Sequence, residues 1–83
     1  MPLFMDVHTF EGGIPAADVA AAHAADLATQ AGFGVKYLKY WLDEDAGKLF
    51  CLVDAPEAEA ANAVHRAAHG HVADELYPVS EHT

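Results

Sequence analysis

The chain lacks the devices that usually staple or anchor a small protein. It has one cysteine, Cys51, in 83 residues, so no disulfide within the chain can compensate for a small core. It has four Lys and Arg against thirteen Asp and Glu, a formal charge of −9. Nucleic-acid binding and attraction to anionic membranes both rest on clustered basic residues, so this balance argues against either partner. Ser80 is the only serine and sits in a polar tail, which argues against a Ser-His-Asp nucleophile. There is no CxxC pair and no glycine-rich phosphate loop. No apolar run approaches the ~20 residues of a membrane helix; the long alanine-rich stretch is broken by Asp18, His23 and Asp26. The opening "MPLFMDVHTF" has no basic start of a secretory signal, and a lone thiol suits a reducing compartment, so the expected location is the cytoplasm.

Size adds a second constraint. A domain of this length buries only about 60% of its unfolded surface. A second copy is a ready source of extra core, so a homodimer is the expected state.

What is present is patterned. "LFMDVHTF" (3–10) alternates with period two and reads as a strand. "EGG" turns the chain, Pro15 suits a helix start, and the alanine-rich run 16–31 predicts a helix closed by Gly32 and Gly34. Its buried stripe is expected at Val19, His23, Leu27 and Ala31. "VKYLKYWL" (35–42) and "LFCLVDA" (49–55) read as two strands of a hairpin around Gly47. Asp54 and Glu57 have capping-box spacing before a second helix, 56–69, that ends at Gly70. "VADELYPV" (72–79) reads as a last strand, with Pro78 at an edge or strand end, and residues 79–83 as a flexible tail. The order βαββαβ is the split βαβ pattern: an α+β, ferredoxin-like single domain over 1–83. Its four-stranded antiparallel sheet has order 4-1-3-2 and both helices on one face. With Leu3, Met5 and Val7 turned to the helices, Asp6 and His8 would project from the other, open face.

Six histidines in so short a chain are the feature that calls for chemistry. Asp6 and His8 are two apart on a strand, about 7 Å apart on one face, a pairing of imidazole and carboxylate that suits a borderline divalent cation; a solvated sheet face is the plain alternative. "VHRAAHGH" (64–71) holds His65 and His69 at i, i+4, the spacing at which a helix can chelate one metal through two nitrogens. The HExxH glutamate is missing, so a metalloprotease is not implied. The stripe Ala61, Val64 and Ala68 would leave both histidines on the flank of the second helix. His23 on the first helix is either a core-edge histidine bonded to Asp26 or a ligand that Asp26 orients. Asp74 and Glu75 offer carboxylates just after the second helix. Cys51 reads as a buried thiol.

Taken in order, "FMDVH" (4–8), "AHAADLATQ" (22–30), "GVKYLKYW" (34–41), "FCLVDAP" (50–56), "VHRAAHG" (64–70) and "VADEL" (72–76) resemble one small bacterial family. That family was long labelled a domain of unknown function, and its described actinobacterial member is a nickel-binding protein. The resemblance implies a ferredoxin-like dimer that binds nickel. It points to His8, His23, Asp26, His65, His69, Asp74 and Glu75 as the positions matching recurrent polar residues, with Asp6 and Cys51 as lesser candidates. The ligands expected from residues and resemblance together are His8, His65, His69, His23, Asp6, Asp26 and Glu75. The expected cofactor is Ni²⁺, with Zn²⁺ and Cu²⁺ as competitors in the usual affinity order; the role would be storage, buffering or sensing. Imidazole ligands predict binding that weakens as pH falls through about 6.5. The alternative is a small-molecule-binding, dimeric α/β-barrel enzyme, with a cavity between two sheets lined by Phe4, Phe10, Tyr37, Tyr40 and Trp41 and with His8 and Asp6 inside it.

Overall fold

The computed structural model describes residues 2–83. Alternating residues near the start of the chain form β1 (Leu3–Thr9), and the alanine-rich run forms α1 (Ala16–Thr29), which tightens into a 3₁₀ turn at Gln30–Phe33. Then come the hairpin strands β2 (Lys36–Asp43) and β3 (Lys48–Asp54), α2 (Ala58–Ala68) and β4 (Glu75–Val79). The sheet order is β2-β3-β1-β4, with every neighbouring pair antiparallel. This is the ferredoxin-like α+β arrangement, in the strand order expected from the element sequence. Gly34, at φ 68°, takes the left-handed conformation that closes the 3₁₀ turn.

Strand β1 faces the opposite way from the expectation. In register, Asp6 lies beside Cys51, and Phe4 beside Val53. Cys51, Val53 and Tyr37 belong to one buried cluster with Val19 of α1 and Ala61 and Val64 of α2. Phe4, Asp6 and His8 therefore face the helices, and Leu3, Met5 and Val7 face away. The apolar residues of β1 serve the outer face instead, where Val7 and Leu52 are buried. Trp41 is 48% exposed there, Tyr77 48% and Phe50 37%.

A bulge in β2 matters for the site. The register with β3 slips between Tyr37 and Lys39, so Leu38 is the extra residue and is exposed. Without it, Tyr37 and Tyr40 would have opposite parity; with it, both sit on the inner face opposite Val53 and Cys51.

The helices differ from the sequence expectation in detail. On α1 the buried residues are Val19 and Asp26, while Leu27 is 46% exposed. The helix is rotated so that Asp26, rather than Leu27, meets the interior. Its first free N–H, at Ala16, is bonded by Glu44 Oε1 from the β2–β3 hairpin at 2.7 Å, which satisfies an orphan donor and places negative charge at the helix start. The expected Asp54–Glu57 capping box is absent: Asp54 is the last residue of β3, and Glu57 occupies the cap with no side-chain bond.

The loop after β1 is tied to the hairpin by backbone bonds, Phe10 N–H to Gly47 O at 2.8 Å and Ile14 N–H to Glu44 O at 3.2 Å. Gly47 has φ 68°, and a Cβ there would lie 2.0 Å from Phe10 O. Both conformation and space demand glycine. Gly47→Ala is expected to destabilise the fold by about 2 kcal/mol or more, read as a lowered urea midpoint; an unchanged midpoint would show that the loop moves aside freely.

Candidate metal centre

Five elements converge on one buried polar cluster. β1 supplies Asp6 and His8, 0% and 3% exposed, α1 supplies Asp26 at 3%, and α2 supplies His65 at 1%. Strands β2 and β3 add Tyr37 and Cys51, also buried. His65 sits at the centre. Its Nε2 is 2.9 Å from Asp6 Oδ2 and its Nδ1 is 2.9 Å from Asp26 Oδ1. An ionised carboxylate can only accept a hydrogen bond, so an imidazole held between two of them donates from both nitrogens and is an imidazolium. Asp6 is fully engaged: Oδ1 takes His8 Nε2 at 3.1 Å, and Oδ2 also lies 2.9 Å from the Tyr37 hydroxyl. That hydroxyl has a second acceptor, Ala61 O, at 3.1 Å.

The electrostatics follow from this geometry. Burial opposes the charge on His65, but hydrogen bonds to Asp26 and Asp6 and their negative charges outweigh it and push the pKa up to about 9. Burial likewise opposes ionisation of Asp6, yet the bonds and charges of His65 and His8 hold its carboxyl below the usual range. Burial, then the Asp6 carboxylate, push both the Tyr37 hydroxyl and the Cys51 thiol up. Cys51 is therefore a neutral thiol in the metal-free chain.

His69 extends the cluster outward. Its Nε2 lies 3.0 Å from Asp26 Oδ1, yet out of line for a hydrogen bond, so this buried nitrogen has no hydrogen-bond partner. Burial lowers its pKa; Asp26 opposes that, and His65 and His71 reinforce it. The ring is neutral at pH 7. Its Nδ1 accepts the His71 N–H at 3.0 Å.

Two donor sets result, each with ligand atoms within 4.8 Å of one another: Asp6, His8, Cys51 and His65, and Asp26, His65 and His69. Thus five of the seven residues expected as ligands are brought together, as His8, His65, His69, Asp6 and Asp26, with Cys51 joining them. His65 is deep inside rather than on a helix flank. His23 stands apart from both sets, its ring 4.9 Å from that of Tyr40; Asp26, its expected partner, turns to His65 and His69. Glu75 points to the outer face opposite Val7 and accepts the Tyr77 hydroxyl. Asp74 Oδ2 instead fixes the Thr9 N–H at 2.7 Å. Tyr37, expected only as lining of a cavity between two sheets, is instead a hydrogen-bond partner of Asp6 on the helix side, and its inward direction depends on the bulge.

A cleft of 820 Å³ between α1 and the sheet reaches the cluster, lined among others by His8, His65, His69, His23, Cys51 and Tyr40. It lies within the chain on the helix side of the sheet, not between two sheets, and Phe4, Tyr37 and Trp41 are not part of its wall. No helix among the described residues is long and apolar enough to cross a membrane.

A family model described as nickel responsive protein, SCO4226-like, matches residues 4–79. The chain belongs to that family. Among solved structures, the chain is similar to SCO4226 from Streptomyces coelicolor A3(2), with 40% identity over 98% of this chain and 99% of that one and a TM-score of 0.89. No curated protein matches the chain.

The charged cluster gives stability a pH signature. His65 is raised from about 6.5 in an unfolded chain to about 9, so its contribution is complete below about 6.5 and is lost as pH rises through about 9. Asp6 is depressed, so its contribution is present above the unfolded value of about 3.9 and is lost as pH falls toward the folded one. The metal-free protein should resist urea best between about pH 4 and 6.5. Asp6→Asn should cost about 3–5 kcal/mol near neutral pH and flatten the alkaline decline; an equal decline in that variant would deny His65 its part.

Proposed function

We propose that this chain is a divalent-metal-binding protein whose first choice is nickel, held by Asp26, His65 and His69 with Asp6 and His8 behind them, and that it stores, buffers or senses the ion as a cytoplasmic homodimer. One observation carries the reading: around Asp26 Oδ1, His65 Nδ1 stands at 2.9 Å and His69 Nε2 at 3.0 Å, the latter buried without a hydrogen-bond partner. With metal–nitrogen bonds of about 2.1 Å, neighbouring ligands of one ion lie roughly 3 Å apart, so these atoms already have ligand spacing. Imidazole with carboxylate suits nickel, zinc and copper alike; the family description favours nickel. The ion would supply positive charge in place of two ring hydrogens: the one His65 now shares with Asp26, and the one His69 Nε2 carries while its Nδ1 accepts from His71, which would move to Nδ1 as that bond opens.

That exchange sets the pH dependence. A proton must leave His65, whose pKa is about 9, so affinity should climb roughly tenfold per pH unit up to about 9, rather than level off near 6.5. Calorimetric titration with Ni²⁺ at pH 6, 7 and 8 checks this. A His65→Ala/His69→Ala double variant should lose at least tenfold in affinity, while Glu75→Ala should match the parent. Wild-type affinity in the double variant would overturn the ligand assignment.

The outer sheet face supports the dimer, since Trp41 and Phe50 are cross-strand neighbours, exposed together. Trp41→Glu should convert a dimer to a monomer in sedimentation velocity; a wild-type protein that sediments as a monomer at 100 μM, or about that concentration, removes the homodimer from the reading.

The cleft favours a second reading, a small-molecule binder with His8 as general base oriented by Asp6 through their 3.1 Å contact. Ligand binding or turnover that survives a chelator would select it over the metal reading.

A further inference from the structure

Part of the cleft wall is a closed circuit of aromatic rings. The ring centroids of His8 and Phe10 lie 6.1 Å apart, those of His8 and His65 4.8 Å, and those of His65 and His69 5.0 Å. His69 then meets His71 at 5.3 Å, and His71 closes the circuit on Phe10 at 5.9 Å. All five rings border the cleft, and so does Asp26. We infer that the cleft takes a small, uncharged aromatic molecule through a hydroxyl group, which donates to Asp26 and accepts from His69. This inference rests on the small-molecule reading and deepens it, since that reading names no class of ligand.

Hydrogen bonding selects the group. His69 Nδ1 accepts the His71 N–H, so the hydrogen of the neutral ring sits on Nε2. That buried N–H has no hydrogen-bond partner, and an unmade bond at a buried donor is costly. Asp26 is the converse. The contacts of His65 and His69 both fall on its Oδ1; neither uses Oδ2, which can only accept. A donor and an acceptor side by side, out of line with each other, are satisfied together by a group that both gives and takes a hydrogen. A hydroxyl does this with one oxygen. A ketone would serve His69 and leave Asp26, and an ammonium would serve Asp26 and leave His69.

Charge and shape select the rest of the molecule. None of the four Lys and Arg lines the cleft, while Glu11, Asp18 and Asp26 do, so a carboxylate or phosphate ligand would meet like charge. An organic cation would meet the His65 imidazolium inside the ring circuit, which spoils an aromatic cage. A neutral molecule escapes both penalties. Beyond the circuit the wall includes Ile14, Val19, Leu49 and Tyr40, the apolar lining of an organic-ligand site. The circuit offers ring faces and edges, so an aromatic body gains tilted and edge-to-face contacts there. At 820 Å³ the cleft falls within the size of ligand pockets, roughly 300–1,000 Å³. Ala22 and Ala25 form part of the α1 wall, and their small side chains keep the space open.

Nuclear magnetic resonance titration with 4-ethylphenol, in excess chelator so that no metal takes part, tests the inference. The amide signals of Phe10, His71 and residues 22–26 should shift and saturate. Ethylbenzene, which lacks the hydroxyl, should bind at least tenfold more weakly. 4-Ethylbenzoate and 4-ethylbenzylammonium should bind no better than ethylbenzene. His69→Phe keeps a ring and loses the donor; it should bring 4-ethylphenol down to the affinity of ethylbenzene. Ala22→Leu, its fold checked by circular dichroism, narrows the cleft without touching these hydrogen bonds and should weaken 4-ethylphenol at least tenfold. Equal affinity for ethylbenzene, or preference for the acid or the ammonium compound, overturns the hydroxyl assignment and leaves a small-molecule cleft. Binding that ignores both His69→Phe and Ala22→Leu places the ligand elsewhere and overturns the inference. No shift with any of the four compounds at about 1 mM overturns the inference and the small-molecule reading together.

Discussion

Everything in this structure is arranged around a buried imidazolium between two carboxylates. Asp6 comes from the second-from-edge strand β1, Asp26 from α1 and His65 from α2, so one chain of hydrogen bonds joins three elements that are far apart in sequence. Burying such charges is costly in itself and is sustained only when partners are close and nearly every polar atom is satisfied. Here Asp6 accepts from His65, His8 and Tyr37. The atom left over is Nε2 of His69, at the point where the cluster meets the cleft. The interior is settled, and the outer end is open to a new partner.

Alanine makes this possible. Helix α2 packs through Ala61 and Val64, both fully buried, and small side chains let the helices approach the sheet closely enough for a histidine on one helix to meet aspartates on a strand and on the other helix. Larger apolar residues would fill that space and separate the polar groups. The apolar core is correspondingly thin, and the outer sheet face carries bulk that in many small proteins lies inside.

The fold was legible from the sequence because its signals are local: period-two alternation in β1, helix propensity in the alanine runs, and turn residues between β2 and β3. The candidate donors were legible as residue types, and His65 with His69 by spacing. Their placement was not. A strand whose central residues Asp6, Val7 and His8 are buried on both faces gives no periodic cue to which face is inner. Asp6 and His8 were accordingly assigned to the wrong side by the ordinary rule that polar residues face out. His65 looked like a flank residue because its polar partners lie 39 and 59 positions away. Tyr37 depended on the bulge at Leu38, which no local pattern announces.

Helix α1 buries little besides Val19 and Asp26 along its length. An aspartate is therefore one of the two fully buried side chains by which that helix meets the body. The clasp of the scaffold and the mouth of the chemistry are one side chain, so neither can be tuned alone: strengthening the seat of α1 with an apolar residue at 26 would silence the centre, and anything that draws Asp26 toward a guest is felt along the entire helix.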